Sequence, residues 1–432
     1  MDEIFFSFLS IFVFLLIFSY PINIFNYNIF FKEAKFNIFD TILLNVVFHL
    51  NILLLLSFFS LDLNKIFIAH ISIGILFFIF YYRNYSIFIK KELLLLIFFT
   101  INCYCLFIAI VSNPTLGWDG VAHWFFKVQT FFQDGSFKNL KNLPYDYYPH
   151  LGTFVWAYFW KNSFLQFEYY GRFFFIFVFL TTIFSLGSQL NKRFSNIEKM
   201  IFIFITMYLC TDFFLFSGYQ EYLIFIFFYI FSRLFLAFQN TKTKNNVFII
   251  YILLTSFLFL WIKQEGFFYF IILNFIFITL YNDNKINKLI YILGCLLLFC
   301  FFVFIKINFF DGLKFNEALL HKELSHNLNI FFLLDKIIII TKYIFISFIK
   351  YPVWIFIIFS ILILSSKNNY LKEKKFIYLS FSLFLCLIYA IYLQTSMDIK
   401  HLLPLTLSRI SFQMSGLFLF VIVDLVNSLK RI

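Results

Sequence analysis

The stretch from Asn113 to His150, NPTLGWDGVAHWFFKVQTFFQDGSFKNLKNLPYDYYPH, is the longest polar interval in the chain. It carries Asp119, His123 and Lys127 at intervals of four residues. In an α-helix that spacing sets an acid, an imidazole and an ammonium on one stripe. The trio has a chemistry: a carboxylate takes the proton of an attacking hydroxyl, and cations steady a departing phosphate. Spacing alone favours a plainer reading, the solvated face of an interfacial helix, where charges at i and i+4 are ordinary.

The surrounding residues frame the trio. Asn113-Pro114 stops a helix. Residues 121–132 read as an amphipathic helix whose Phe125, Phe126, Phe131 and Phe132 suit a membrane interface. Asp134-Gly135 ends that helix, and Tyr145-Asp146-Tyr147-Tyr148-Pro149-His150 leads back to apolar sequence.

The elements that must position this segment are apolar. Of 432 residues, 62% are hydrophobic, 13% are charged and 76 are Phe. So few polar residues cannot cover a soluble surface, which excludes a soluble enzyme, a disordered chain and a fibrous repeat. Apolar runs fall at about 4–20, 38–60, 66–82, 93–112, 164–189, 200–217, 222–239, 247–262, 267–281, 289–307, 344–365, 376–393 and 411–428. The expected fold is therefore all-α, a polytopic transmembrane bundle of about 13 spans in one membrane domain, 1–432. Residues 330–343 read either as a short span or as an interfacial helix leading into the next run. The amino-terminal run lacks a basic leader and a small-residue cleavage site, so it is expected to stay as a span.

Charge sorts the loops. Segments 32–37, 83–92, 190–199, 240–246, 282–288, 366–375 and 429–432 carry 18 Lys and Arg in 54 residues. The alternate set, 1–3, 61–65, 113–150, 217–221, 263–266, 308–336 and 394–410, carries 10 in 101. The first set is expected in the cytoplasm. The second holds 13 of the 22 acids and five of the seven His, so chemistry-bearing groups gather on the outer face. The net charge of +12 thus reads as membrane orientation, and no nucleic-acid partner is inferred. The six Cys lie in apolar runs and form no readable disulfide or zinc pattern. The 12 Gly form no nucleotide-binding loop.

WDGVAHWFFKVQTFFQDG (118–135) followed by YDYYPHLGTFVWAYFW (145–160) resembles the first outer loop of GT-C-fold membrane glycosyltransferases. It is most similar to bacterial relatives of the protein O-mannosyltransferase and lipid A aminoarabinose transferase families. Ser217-Gly218-Tyr219-Gln220-Glu221, Lys263-Gln264-Glu265-Gly266 and a late loop from Asp398 to Arg409 agree in order. The resemblance covers roughly residues 90–425, making 91–428 a GT-C-like core and 1–90 extra N-terminal spans. Asp119 is followed by Gly120 where many relatives carry a second acid, which leaves Asp146, Glu168 and Glu221 as alternatives for that role.

The resemblance implies an inverting enzyme of the bacterial inner membrane with its site facing the periplasm. A sugar on polyprenyl phosphate is the implied donor, and a glycan, lipid or protein hydroxyl the acceptor. Asp119 is the implied general base. Lys127, Lys263 and Arg409 are implied phosphate partners, with His150 and His401 as weaker ones. His123, Asp146, Glu168, Glu221 and Glu265 complete the implied substrate-binding set. No cofactor is called, and a divalent metal stays open. His321, Glu323 and His326 sit badly for metal, because a His-x4-His spacing splays the rings. Glu168 and Arg172, four apart, read equally well as an ion pair orienting their helix. His49 and His70 read as buried bundle contacts. An O-antigen polymerase or ligase and a lipid-linked sugar flippase are the alternatives, the second disfavoured because polar residues gather on one face.

Overall fold

A computed structural model describes residues 2–20, 34–59, 61–135, 140, 143, 145–241, 246–281, 285–310, 330–366, 371–395 and 399–430, of which 81–91, 330–332 and 371–373 are described by backbone alone. Every regular element among them is helical. The helices are α1 (Asp2–Ile17), α2 (Ile38–Ser57), α3 (Leu63–Ser112), α4 (Phe126–Asp134), α5 (Leu151–Lys161), α6 (Tyr169–Ser188), α7 (Asn196–Cys210) and α8 (Glu221–Asn240). They continue as α9 (Asn246–Phe259), α10 (Gly266–Leu280), α11 (Lys285–Phe309), α12 (Ile330–Lys350), α13 (Pro352–Ser365), α14 (Leu371–Gln394), α15 (Ile399–Phe418) and α16 (Phe420–Leu429). Local chemistry starts several of them. Asn37 with Asp40 and Ser195 with Glu198 form reciprocal capping boxes at α2 and α7, satisfying amides that a helix start leaves bare.

Among the described residues, seven helical segments are long and apolar enough to cross a membrane, or up to nine if each of two bent pairs makes one span. That is the make-up of a polytopic bundle, in which helices alone satisfy the backbone within lipid. The expected figure of about 13 meets a different division of the chain. Runs 66–82 and 93–112 remain two candidate spans, although both are arms of the single 50-residue α3, broken at Glu92 by non-helical dihedrals; runs 247–262 and 267–281 instead form the shorter helices α9 and α10. Run 344–365 is cut before Pro352, where α12 and α13 meet at 98°. Pro donates no amide and suits a helix start, so the chain turns there. The ambiguous stretch 330–343 is the first part of α12.

Helices α6 and α8 form the centre, and nearly every residue of both is buried. Helix α15 lies against α8 with almost no gap. A Cβ on Gly416 would come within 2.1 Å of the Phe225 carbonyl oxygen, so only glycine permits this approach. Phe225 and Phe412 stack there at 5.0 Å. Two turns before Gly416, Arg409 is thereby brought beside Glu221 at the start of α8.

The two ends of the bundle carry different ion pairs. Arg233, roughly 18 Å along α8 from Glu221 at 1.5 Å per residue, grips Asp40 through two nitrogens, and Ser185 joins them. Lys430 pairs with Glu198 at 2.6 Å. Between the ends, His49 is buried as expected, its Nε2–H donating to the Tyr20 carbonyl at 3.0 Å. His70 Nδ1 meets the Tyr158 hydroxyl at 2.8 Å. Cys103 is buried and Cys105 exposed, as their two-residue spacing on a helix requires.

Candidate functional site

Residues 113–120 are held down before they display anything. Arg172 of α6 is fully buried and donates to the carbonyls of Pro114, Thr115 and Phe216 while pairing with Glu168 at 2.9 Å. One guanidinium thus staples the loop to the turn before α8. Gly117 N donates to Ser217 O at 2.9 Å. A Cβ on Gly117 would meet the Tyr219 ring at 2.1 Å, so glycine is what lets the two segments touch. Asp119 N completes the clamp on the Tyr219 hydroxyl at 3.4 Å.

The helix expected over 121–132 starts as a π-turn, Gly120–Phe125, and continues as α4. The wider turn breaks the i, i+4, i+8 stripe, because π-geometry bonds five residues apart. Asp119 and His123 stay partly exposed, whereas Lys127 turns inward and is fully buried. The phenylalanines do not line an interface as a set. Phe131 is buried against Phe154, and Phe125 and Phe132 stack on Trp160. Phe126 is the exposed one. These aromatic contacts fix α4 on α5.

Five charged side chains from four separated segments meet at this end. Arg409 donates to Asp119 Oδ2 and, at 3.3 Å, to Glu221 Oε1. Lys263, in the turn before α10, donates to the same Oε1 at 2.8 Å and lies 3.8 Å from Glu265. Both cations share one carboxylate oxygen, so their nitrogens lie within about 6 Å of each other. Glu221 is the hub: its side chain is 1% exposed, against 13% for Asp119 and 20% for Arg409. Burial opposes the charge of Lys263, but Glu221 and Glu265 outweigh it and hold its pKa above the ordinary lysine range. The Tyr219 ring lies 5.7 Å from the Arg409 guanidinium. The stretch 399–409, expected as a loop, is the first half of α15, so Arg409 is held on a helix that runs through Pro404.

The remaining expected residues sit around this cluster in other roles. His123 packs edge-on to Trp118 and Tyr145 and beside Tyr148. Burial lowers its pKa; Asp119 pulls it up while Lys263, Arg409 and Lys127 push it down. Lys127 donates to the Tyr148 carbonyl at 2.8 Å, and Lys306 of α11 donates to the Tyr147 carbonyl at 2.9 Å. Burial depresses the Lys127 pKa strongly, Lys306 adds to the fall, and Asp146 opposes it. Asp146 accepts from the Tyr147 amide at 2.7 Å. These three groups therefore pin the Tyr145–Tyr148 turn from below and do not face the cluster. Glu168 belongs to the Arg172 staple. His150 is enclosed by Phe58, Phe131, Trp261 and Phe310, with its Nε2 3.0 Å from Ser57 Oγ. His401 is exposed in the first turn of α15. His321, Glu323, His326 and Asp398 lie outside the described residues.

Sequence reasoning missed Lys306, Tyr148 and Gln413. Lys306 stands alone in the run 289–307, and a lone lysine at membrane depth is itself a signal. Tyr148 presents its ring to His123; burial, then Glu265, raise its pKa despite Lys263. Gln413, one turn beyond Arg409, accepts from Tyr269 at 2.8 Å while its buried Nε2 and Glu221 Oε2 have no protein hydrogen-bond partner among the described residues.

The buried His150 makes a pH prediction. Burial first, then Lys306 and Lys127, depress its pKa well below the ordinary 6.5. The unfolded chain takes up a proton near 6.5 that the folded ring refuses. Stability is therefore intact above that pH and declines as acidification proceeds below it. Thermal unfolding in detergent at about pH 7.5 and about pH 5 should show a smaller acid loss for His150→Asn than for wild type. Equal losses would remove His150 from the account.

Among the described residues, no group of three or more His, Cys, Asp and Glu is placed to hold a metal ion. Comparison with protein-family models, curated proteins and solved structures finds no match to this chain.

Proposed function

We propose that the protein is a membrane glycosyltransferase that moves a sugar from a polyprenyl-phosphate donor to an acceptor hydroxyl at the periplasmic face of a bacterial inner membrane. One observation carries the reading: Asp119, Glu221, Lys263 and Arg409 converge from four separated segments into one acid–cation cluster at one end of an apolar bundle. In so apolar a bundle, charges gathered this way are a functional signal.

The reaction is a single inverting displacement. Asp119 takes the acceptor proton, the acceptor oxygen bonds to the anomeric carbon, and the carbon–oxygen bond to phosphate breaks. The electron pair leaves on the polyprenyl phosphate, whose charge Arg409 and Lys263 receive. Glu221 and Glu265 hold the two cations in register, and His123 packs against Tyr148 beside them. The GT-C arrangement, with 1–90 as added spans, is part of this reading. A flippase needs polar groups along a path through the bundle, whereas these sit at one end. A polymerase or ligase is the nearer rival, and product analysis separates it.

The test is mass spectrometry of envelope glycans from cells with and without the protein. The expected result is the loss of one sugar from one glycan, lipid or protein species, with polyprenyl-phosphate-sugar accumulating. Unchanged envelope glycans overturn the proposal, and loss of chain length alone favours the polymerase.

A further inference from the structure

Charge balance at the cluster poses a problem for any anionic donor. Three carboxylates, Asp119, Glu221 and Glu265, already surround two cations, Lys263 and Arg409. A phosphate entering unchanged would add negative charge to a site that already carries an excess of it. One carboxylate has to give way. Glu221 is enclosed and bound to both cations. Glu265 touches only Lys263 among the two, at the longer distance of 3.8 Å. Asp119 is the partner that can move: it is partly exposed, and its backbone is fixed independently by Gly117 N on Ser217 O and by its own amide on Tyr219. Rotating its side chain therefore disturbs no backbone contact.

We propose that the Asp119–Arg409 ion pair is a latch that a lipid-linked phosphate opens, so that donor binding itself releases the general base. This rests on the glycosyltransferase reading above. With the latch closed, Arg409 neutralises Asp119 and no acceptor or water is activated. A phosphate that takes Arg409 frees the carboxylate to accept the proton of an attacking hydroxyl. Base and donor are thereby coupled. The closed latch also costs donor affinity, since the phosphate binds only the fraction of molecules in which Arg409 is available.

The prediction runs against the usual loss on mutation: Asp119→Asn should bind donor phosphate more tightly than wild type. The probe is undecaprenyl phosphate, titrated onto the full chain in lipid nanodiscs, with inorganic phosphate as the second arm. The expected gain is about tenfold for Asp119→Asn and under about twofold for Glu265→Gln, which removes the same charge without holding Arg409. Arg409→Gln should lose about tenfold or more. Thermal unfolding of each variant accompanies the titration, and Asp119→Ala repeats the test should the Asn variant misfold. The lipid is expected to bind far more tightly than inorganic phosphate, with the same ratio between variants; saturation by inorganic phosphate at equal concentration would make the ligand a free anion and overturn the lipid assignment. Equal gains for Asp119→Asn and Glu265→Gln would mean general electrostatics and overturn the latch. Failure of wild type and Asp119→Asn alike to bind either ligand would overturn the underlying glycosyltransferase reading as well.

Discussion

Asp119→Asn is expected to insert and fold as wild type and to transfer sugar about a thousandfold more slowly. The substitution is nearly isosteric and removes one charge. The contacts that shape the loop survive it, since Gly117 N on Ser217 O and the residue 119 amide on Tyr219 are backbone donors. Arg409 keeps Glu221, so no buried cation is stranded. What disappears is the only group in the cluster that combines exposure with a carboxylate on the loop before the π-turn, and an amide cannot accept a proton near neutral pH. The measurement is transfer from a radiolabelled polyprenyl-phosphate-sugar in liposomes, with thermal unfolding of the same preparations. Transfer at the wild-type rate would remove Asp119 as the base. Equal loss of stability and activity would make it a structural residue. If the latch operates, the same variant binds donor more tightly while failing to use it, a combination that a folding defect does not produce.

The cluster is partly legible in the amino-acid sequence because charge has few places to go in so apolar a chain. Asp119, Glu221, Lys263, Glu265 and Arg409 all fall in one alternating set of loops, and all five also sit in motifs whose order suggests a common face. Their meeting around one oxygen of Glu221 is not legible there, since it depends on α15 lying against α8 at Gly416. Lys127 is misplaced by the premise of a regular helix. A single π-turn rotates everything after it, and nothing in the composition of GVAHWF announces one. Helix boundaries suffer from a related ambiguity. Hydropathy cannot separate a helix enclosed by protein, such as α6, from one with an exposed apolar surface, such as α11, because both are predominantly apolar. It also passes over breaks inside a predominantly apolar run, and the chain turns by 98° between Lys350 and Pro352.

Glu221→Gln is expected to damage stability as well as activity, and by about 3 kcal/mol or more. Glu221 is the buried acid on which two cations depend, with Oε1 at 2.8 Å from Lys263 and 3.3 Å from Arg409. Neutralising it leaves Lys263, itself only 9% exposed in its side chain, with Glu265 at 3.8 Å as its remaining partner. Arg409 is less affected, because Asp119 still holds it. The cost should therefore arise mainly from stranded Lys263, which gives a specific rescue. Lys263→Met in the Glu221→Gln background removes the unpaired charge and should recover much of the stability without recovering transfer. Unfolding of the single and double variants by sodium dodecyl sulfate titration measures this coupling. Additive losses would show that Lys263 and Glu221 do not act as a pair in the folded protein, and an unperturbed Glu221→Gln would show that water already solvates the hub. The contrast with Asp119→Asn is the stronger discriminator: the partly exposed Asp119 should cost activity alone, whereas the buried Glu221 should cost both, because it positions the cations that Asp119 and the donor phosphate compete for.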